Sequence, residues 1–350
     1  MFVEFLIRGD FLERKTALTI GVIIAIILIV AIAAVFLAPP AATPTKRKFK
    51  VAAVFDTFVG ECGWNEAAYA GLMEAKEKYG DLIEIAYSEK VPLADYERVM
   101  RDYAEKGYDL IICHATPAGE AVKSVAKDYP NIWFEWTDGW GEIPSNVVVI
   151  TPLAHEAAYL AGMLAGAITK TNKIGVVGGM NVPSTYRTYH AFTLGVKKVN
   201  PNAEVKVIWV GSFVDIHAGY EAAKSLIAEG CDVIWGNGDG QNVGARFACV
   251  ESKVWYIGAV WDECKYAPGV CVASVLWGID KAILDIIEKA MKGELEPGKF
   301  YEYSMKDGAI LKVNPKLKYL IPEDILKLIK ETEEKILKGE FTVPRKDFPD

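Results

Sequence analysis

The chain has 350 residues, 24% of them charged and 51% hydrophobic, and a formal net charge of −7. This acidic balance, with basic residues scattered rather than clustered, argues against a nucleic-acid partner. Six cysteines (Cys62, Cys113, Cys231, Cys249, Cys264, Cys271) without CxxC or Cys/His spacing argue against a structural metal site, and nothing in the composition calls for a cofactor.

Residues 1–15 read as a short tail, and residues 16–45 carry no charge. The apolar part, residues 17–38, is about 33 Å long as a helix, enough to cross a hydrocarbon core of about 30 Å. A cleaved signal has an apolar stretch of only about 7 to 15 residues, so residues 16–38 are expected to be a retained transmembrane anchor. Arg8, Arg14 and Lys15 on one side face Lys46, Arg47, Lys48 and Lys50 on the other, which leaves orientation open. No cysteine follows the apolar run as a lipid-modified N-terminus would require. Residues 39–48, rich in proline, are expected to be an extended spacer.

Beyond the spacer, short apolar runs alternate with helical patterns, the signature of parallel strands joined by crossover helices. Strands are expected at 49–55, 109–113, 131–136 and 146–150, with helices at 64–79, around Tyr96, Val99, Met100 and Tyr103, and at 117–129. The alternation then repeats, with helices at 155–168, 186–199, 218–228 and 241–250 and strands at 173–177, 203–210, 232–235 and 254–257. A strand at 270–275, a helix at 279–291, a hairpin near 301–313 and a helix at 323–337 close the chain. About 300 residues exceed one normal hydrophobic core. The expected fold is therefore α/β, with two Rossmann-like lobes, residues 49–152 plus 260–298 and residues 153–259 plus 299–345, joined by a hinge.

Such lobes bind small molecules at the carboxyl ends of their strands. Asp56 ends the first strand, and Trp64-Asn65 opens the helix after it. His114 follows the strand ending at Cys113 and is expected to point at the cleft mouth, and Asp138 follows the strand at 131–136. In the second half Phe213 follows the strand at 203–210, Asn237, Gly238 and Asp239 follow the strand at 232–235 and can rim the cleft, and Asp262 follows the strand at 254–257. Cys264 and Cys271 flank Pro268-Gly269 and would close a small loop in an extracellular domain.

Several motifs recur in a fixed order: Trp64-Asn65 with Gly71, Tyr159-Leu160-Ala161-Gly162, the run from Thr169 to Met180, Ala191-Phe192-Thr193-Leu194-Gly195, Val199-Asn200-Pro201, Gly211-Ser212-Phe213-Val214-Asp215 and Gly230-Cys231-Asp232-Val233-Ile234. In this order the chain resembles the basic membrane protein family of ABC-transporter substrate-binding proteins, over residues 50–280. The resemblance implies the type I periplasmic-binding fold, a binding domain on the extracellular side of the cell membrane, ABC permease subunits as partners, and a purine base or nucleoside as ligand. Trp64 and Phe213 would sandwich the base, each stacking contact being worth about 1 to 3 kcal/mol. Asp56, Asn65, Asp138, His114, Asn237, Gly238 and Asp262 would hydrogen-bond it, Asp262 at a ribose or exocyclic amine. Trp277 stands where the family's nucleoside receptors have a lysine, and Gly60-Glu61-Cys62-Gly63 replaces their paired aspartates. The added tryptophans at Trp136, Trp140 and Trp277 look more like the branch that takes free bases, so adenine is as well favoured as a nucleoside.

Two other readings compete. A membrane-anchored purine sensor would need an effector segment, for which residues 1–15 are too short. A nucleoside-hydrolysing enzyme would use Asp56, Asp138 and Asp262 as acid and base, or Cys62 with His114. No spacing enforces either set, and a binding protein is expected.

Overall fold

The computed structural model describes residues 47–60 and 63–349, with Val22 and residues 25–28. Most of the expected membrane span at 17–38 therefore lies outside the described residues, as does Cys62; the described part of the span is helical. No helix among the described residues is long and apolar enough to cross a membrane. Residues from Lys48 onward form one compact unit.

The chain runs β1 (Phe49–Val54), α1 (Gly63–Tyr79), β2 (Ile83–Ser88), α2 (Tyr96–Glu105), β3 (Leu110–Cys113), α3 (Gly119–Asp128), β4 (Trp133–Thr137) and β5 (Val147–Pro152). It continues through α4 (His155–Ile168), β6 (Lys173–Gly178), α5 (Pro183–Val199), β7 (Glu204–Trp209), α6 (Ile216–Ala228), β8 (Val233–Asn237), α7 (Gly240–Ser252) and β9 (Trp255–Val260). The last elements are β10 (Cys271–Leu276), α8 (Ile279–Lys292), β11 (Phe300–Tyr303), β12 (Leu311–Val313) and α9 (Glu323–Lys338).

Two six-stranded sheets result, in the orders β11-β5-β4-β3-β1-β2 and β12-β10-β9-β8-β6-β7. All pairings are parallel except that of β12 with β10. Parallel strands are covered by helices on both faces and are apolar throughout. In β1, accordingly, Val51 and Ala53 enter one core while Ala52 and Val54 enter the other. The strand β2 is absent from the sequence-based expectation because it is an edge strand of mixed polarity, Ile-Glu-Ile-Ala-Tyr-Ser, with only Ile83 buried.

In the second lobe α4 and α5 cross at two reciprocal glycines. A Cβ on Gly162 would stand 2.0 Å from Phe192 O, and one on Gly195 would stand 1.9 Å from Tyr159 O. The backbones thus touch where the family-like motifs Tyr159–Gly162 and Ala191–Gly195 meet, which gives those motifs a packing role.

The sheets divide the chain differently from the expected lobes. β10 pairs with β9, so residues 260–276 belong to the second sheet and not the first; β11 pairs with β5, so residues 300–303 belong to the first sheet and not the second. The expected hairpin at 301–313 does not form, because β11 and β12 lie in different sheets. Helix α8 packs on α1 of the first lobe. The chain therefore crosses between lobes three times: after β5, between β10 and α8, and between β11 and β12. The crossings are tied together, with Leu153 N donating to Tyr303 O at 2.7 Å and Leu276 N to Ile310 O at 2.8 Å. Three adjacent connections permit bending about a line through them, the geometry of hinge closure.

Candidate functional site

The carboxyl ends of both sheets face a common cavity. Asp56 (after β1), Trp64 (first turn of α1), Thr116 (after β3) and Asp138 (after β4) line it from the first lobe. Ser184 and Thr185 (first turn of α5), Phe213 (after β7), Gly238 and Asp239 (after β8) and Val260 (end of β9) line it from the second, and Trp277 on a crossing segment completes it. It contains about 410 Å³ of atom-free space, part of it open to solvent. Two lining residues, Asp138 (φ 58°) and Val260 (φ 68°), adopt left-handed backbone conformations. For a β-branched valine that geometry is strained, and such strain collects at functional sites.

The lobes meet directly here. Ser184 Oγ donates to Asp138 Oδ2 at 2.5 Å, and Trp64 N donates to Asp239 Oδ1 at 2.9 Å. Asp239 thus brings a carboxyl group from one lobe to the N-terminus of a helix in the other, where backbone N–H groups lack partners. Two buried polar atoms among the lining residues, Trp277 Nε1 and Asp239 Oδ2, have no hydrogen-bond partner.

The lining residues contain no lysine or arginine and three aspartates. Burial raises the Asp56 pKa, and the hydrogen bond from Asn65 works against that shift. Asp138 is pushed up to about 6, by burial above all. Asp239 is raised well above the ordinary carboxylate value, first by burial and then by the nearby Asp56 charge. Such a cavity suits a ligand that donates hydrogen bonds and repels an anion.

Of the residues singled out in the sequence, Asp56, Trp64, Asp138, Phe213, Gly238, Asp239 and Trp277 line this cavity. Asn65 and Asn237 are buried beside it: Asn65 Nδ2 donates to Asp56 Oδ1 at 2.9 Å, while Asn237 Nδ2 donates to Thr185 O at 2.8 Å. His114 is fully buried with its ring stacked on Trp64 at 4.4 Å, not at the cleft mouth. Asp262 is not brought in. Its side chain accepts from Cys264 N at 3.2 Å, pairs with Lys312 Nζ at 2.7 Å and lines a separate surface depression. The chain turns at the left-handed Val260, and the nearby Glu263 is buried within the second lobe against Arg246 rather than in the cavity.

The residues missed by sequence reasoning are Thr116, Ser184 and Thr185. A signal for two of them was present: Pro183 suits the first position of a helix, so α5 starts at Pro183 rather than 186 and brings Ser184 and Thr185 to the cleft.

Behind Trp64 a buried chain of polar groups fixes the ring. His114 Nε2 lies 2.9 Å from Trp64 O, and because that oxygen can only accept, Nε2 carries the proton. His114 Nδ1 then accepts from Thr137 Oγ1, 2.9 Å away, and Thr137 Oγ1 lies 2.9 Å from Glu135 Oε2. A neutral Glu135 completes the set by donating to the threonine. Burial accounts for both protonation states, pushing His114 down to about 3 and Glu135 up to about 8. Glu135 holds its proton more tightly folded than unfolded, so its contribution to stability is complete below pH 4.5 and lost as pH rises to about 8. His114 has the opposite sign, and stability is lost as pH falls from 6.5 to about 3. The slopes oppose each other between, and of these two groups only Glu135 still contributes a slope above pH 6.5. Urea denaturation at pH 6.5 and 8 should show a larger loss for the wild type than for Glu135→Gln; equal losses would mean that Glu135 is charged in the folded protein.

Residues 48–347 match the family described as PnrA-like ABC transporter substrate-binding proteins. The CD4+ T-cell-stimulating antigen of Listeria monocytogenes is 31% identical over 327 residues, 86% of this chain and 90% of its own length. A purine-binding protein of Brucella abortus is 31% identical over 316 residues, 87% of this chain and 86% of its own. In three dimensions, an ABC transporter solute-binding protein from Aeropyrum pernix superposes with a TM-score of 0.72 at 23% identity, covering 85% of this chain and 94% of that one.

Proposed function

The chain belongs to the family of PnrA-like ABC transporter substrate-binding proteins, a group of binding proteins and not enzymes, and from that premise we propose that its solute is a purine base, captured outside the cell and handed to an ABC permease. The observation that carries this reading is the make-up of the cavity. Three tryptophan or phenylalanine rings, Trp64, Trp277 and Phe213, stand around three carboxyl groups. A purine offers flat faces to rings, N–H donors to carboxyl oxygens and a ring nitrogen to the indole N–H of Trp277. Both Trp277 Nε1 and Asp239 Oδ2 would gain the partners they otherwise lack, each buried unpaired group costing about 1 to 3 kcal/mol. The name of the Brucella abortus relative points the same way. Residues 17–38 would anchor the domain to the membrane, with residues 39–48 as spacer.

Trp277 bears on free base against nucleoside. A lysine ammonium offers three donors to sugar hydroxyls, whereas an indole offers one donor and a large apolar face. With its bulk in the ribose volume, adenine should bind more tightly than adenosine, and Trp277→Lys should narrow or reverse that order. Calorimetric titration of both ligands against both proteins measures the effect. A wild type that prefers adenosine by tenfold or more, about 1.4 kcal/mol, would replace the free-base reading with a nucleoside one. Mass spectrometry of small molecules released on denaturation tests the class itself; a sugar in place of a purine would overturn it.

A further inference from the structure

A second contact between the lobes uses none of the cavity's atoms. Two residues along α1 from the cavity-lining Trp64, Glu66 Oε1 of the first lobe lies 2.6 Å from Lys265 Nζ of the second. Tyr266 Oη donates to the other oxygen, Glu66 Oε2, at 2.9 Å and lies 3.2 Å from Gly60 O. One carboxylate is thus gripped at both oxygens by neighbouring residues of one short loop.

That loop is fixed from beneath and closed at its base. The buried Glu263 carboxylate accepts from Arg246 Nη1 at 2.5 Å, Tyr256 Oη at 3.0 Å, Ala259 N at 3.0 Å and Asn242 Nδ2 at 3.1 Å. The Cys264–Cys271 disulfide joins its two ends. The Arg246 guanidinium also lies 4.8 Å from the Tyr266 ring centroid, holding the ring toward the first lobe. A loop ordered in this way loses little conformational freedom when it engages a partner.

We propose that Glu66, Lys265 and Tyr266 form a clasp that stabilises the closed cleft independently of solute, and that the Cys264–Cys271 disulfide keeps the second-lobe half of it formed while the cleft is open. The clasp rests on the two-lobe binding reading, and its role is to set how long a bound solute is retained. These are positioning residues: they hold the lobes and do not touch the solute. An exposed ion pair by itself contributes little, but a charged hydrogen bond from a preformed loop adds to it, and a roughly tenfold effect is expected.

The test is the inter-lobe distance in the anchored, full-length protein, read from spin labels on α2 and α6. Without solute, Glu66→Ala and Tyr266→Phe should each lower the closed fraction, Glu66→Ala by about tenfold. The paired Cys264→Ser and Cys271→Ser replacement should lower it as well, and adding Glu66→Ala to that background should change little further, since both act through one contact. With adenine as the probe, Glu66→Ala should raise the dissociation rate by the same factor and leave the association rate unchanged. Closed fractions equal to wild type in Glu66→Ala and Tyr266→Phe would overturn the proposal. Absence of adenine binding in the wild type would instead sink the purine reading, with the distance measurement still deciding the clasp.

Discussion

Glu263→Ala is expected to destabilise the folded domain by about 3 to 5 kcal/mol, because it leaves the buried Arg246 guanidinium without its counter-charge. The pair is 2.5 Å apart, with side-chain exposures of 9% for Arg246 and 5% for Glu263. The alanine also strips acceptors from Tyr256, Asn242 and Ala259 N, each buried. Replacing both members of the pair by methionine should cost less than the single change, since no lone charge then remains inside. Urea denaturation of the three proteins measures the difference. A single variant as stable as wild type would mean that Arg246 swings out to water, and the loop after β9 would then have no internal anchor.

Trp64→Ala should act on stability and binding together. The side chain is 8% exposed, its ring stacks on His114 at 4.4 Å and meets Trp277 edge-on at 5.9 Å, and its Nε1 donates to His114 O at 3.2 Å. Removing a buried tryptophan typically costs about 3 to 5 kcal/mol of stability. Loss of one stacking face should further weaken adenine binding by about 1 to 3 kcal/mol, or roughly 5- to 150-fold. Calorimetry well below the variant's melting temperature separates the two effects. Unchanged affinity in a folded variant would make Trp64 a core residue only, whereas unchanged stability would show that His114 and Trp277 repack without it.

These residues also show how far the sequence could be read. The parallel strands announced themselves as unbroken apolar runs, and the strand ends then located Asp56, Trp64, Asp138, Phe213 and Gly238 on one cavity. The pairing of Cys264 with Cys271 followed from a short spacing across Pro268-Gly269. What stayed hidden depended on single backbone angles and on long-range pairing. In Trp261-Asp262-Glu263 the cleft was expected to receive Asp262, yet beyond the left-handed Val260 neither carboxylate faces it: Asp262 pairs with Lys312 and Glu263 with Arg246. The apparent hairpin at 301–313 failed for a related reason. Two short strands close in sequence suggest each other as partners, yet β11 finds an open edge at β5 and β12 finds one at β10.

The late position of β11 and β12 has a consequence for synthesis. Strands β1 to β5 leave the ribosome first, but the sheet they build keeps β5 as a bare edge until residues 300–303 emerge, and the second sheet waits still longer for 311–313 to cover β10. A bare edge of this sort is a template for pairing with another chain. Between residues 152 and 300, then, the first nascent sheet carries β5 as an unguarded flank, and between residues 276 and 311 the second carries β10, until β11 and β12 take over as the selvedge of each sheet.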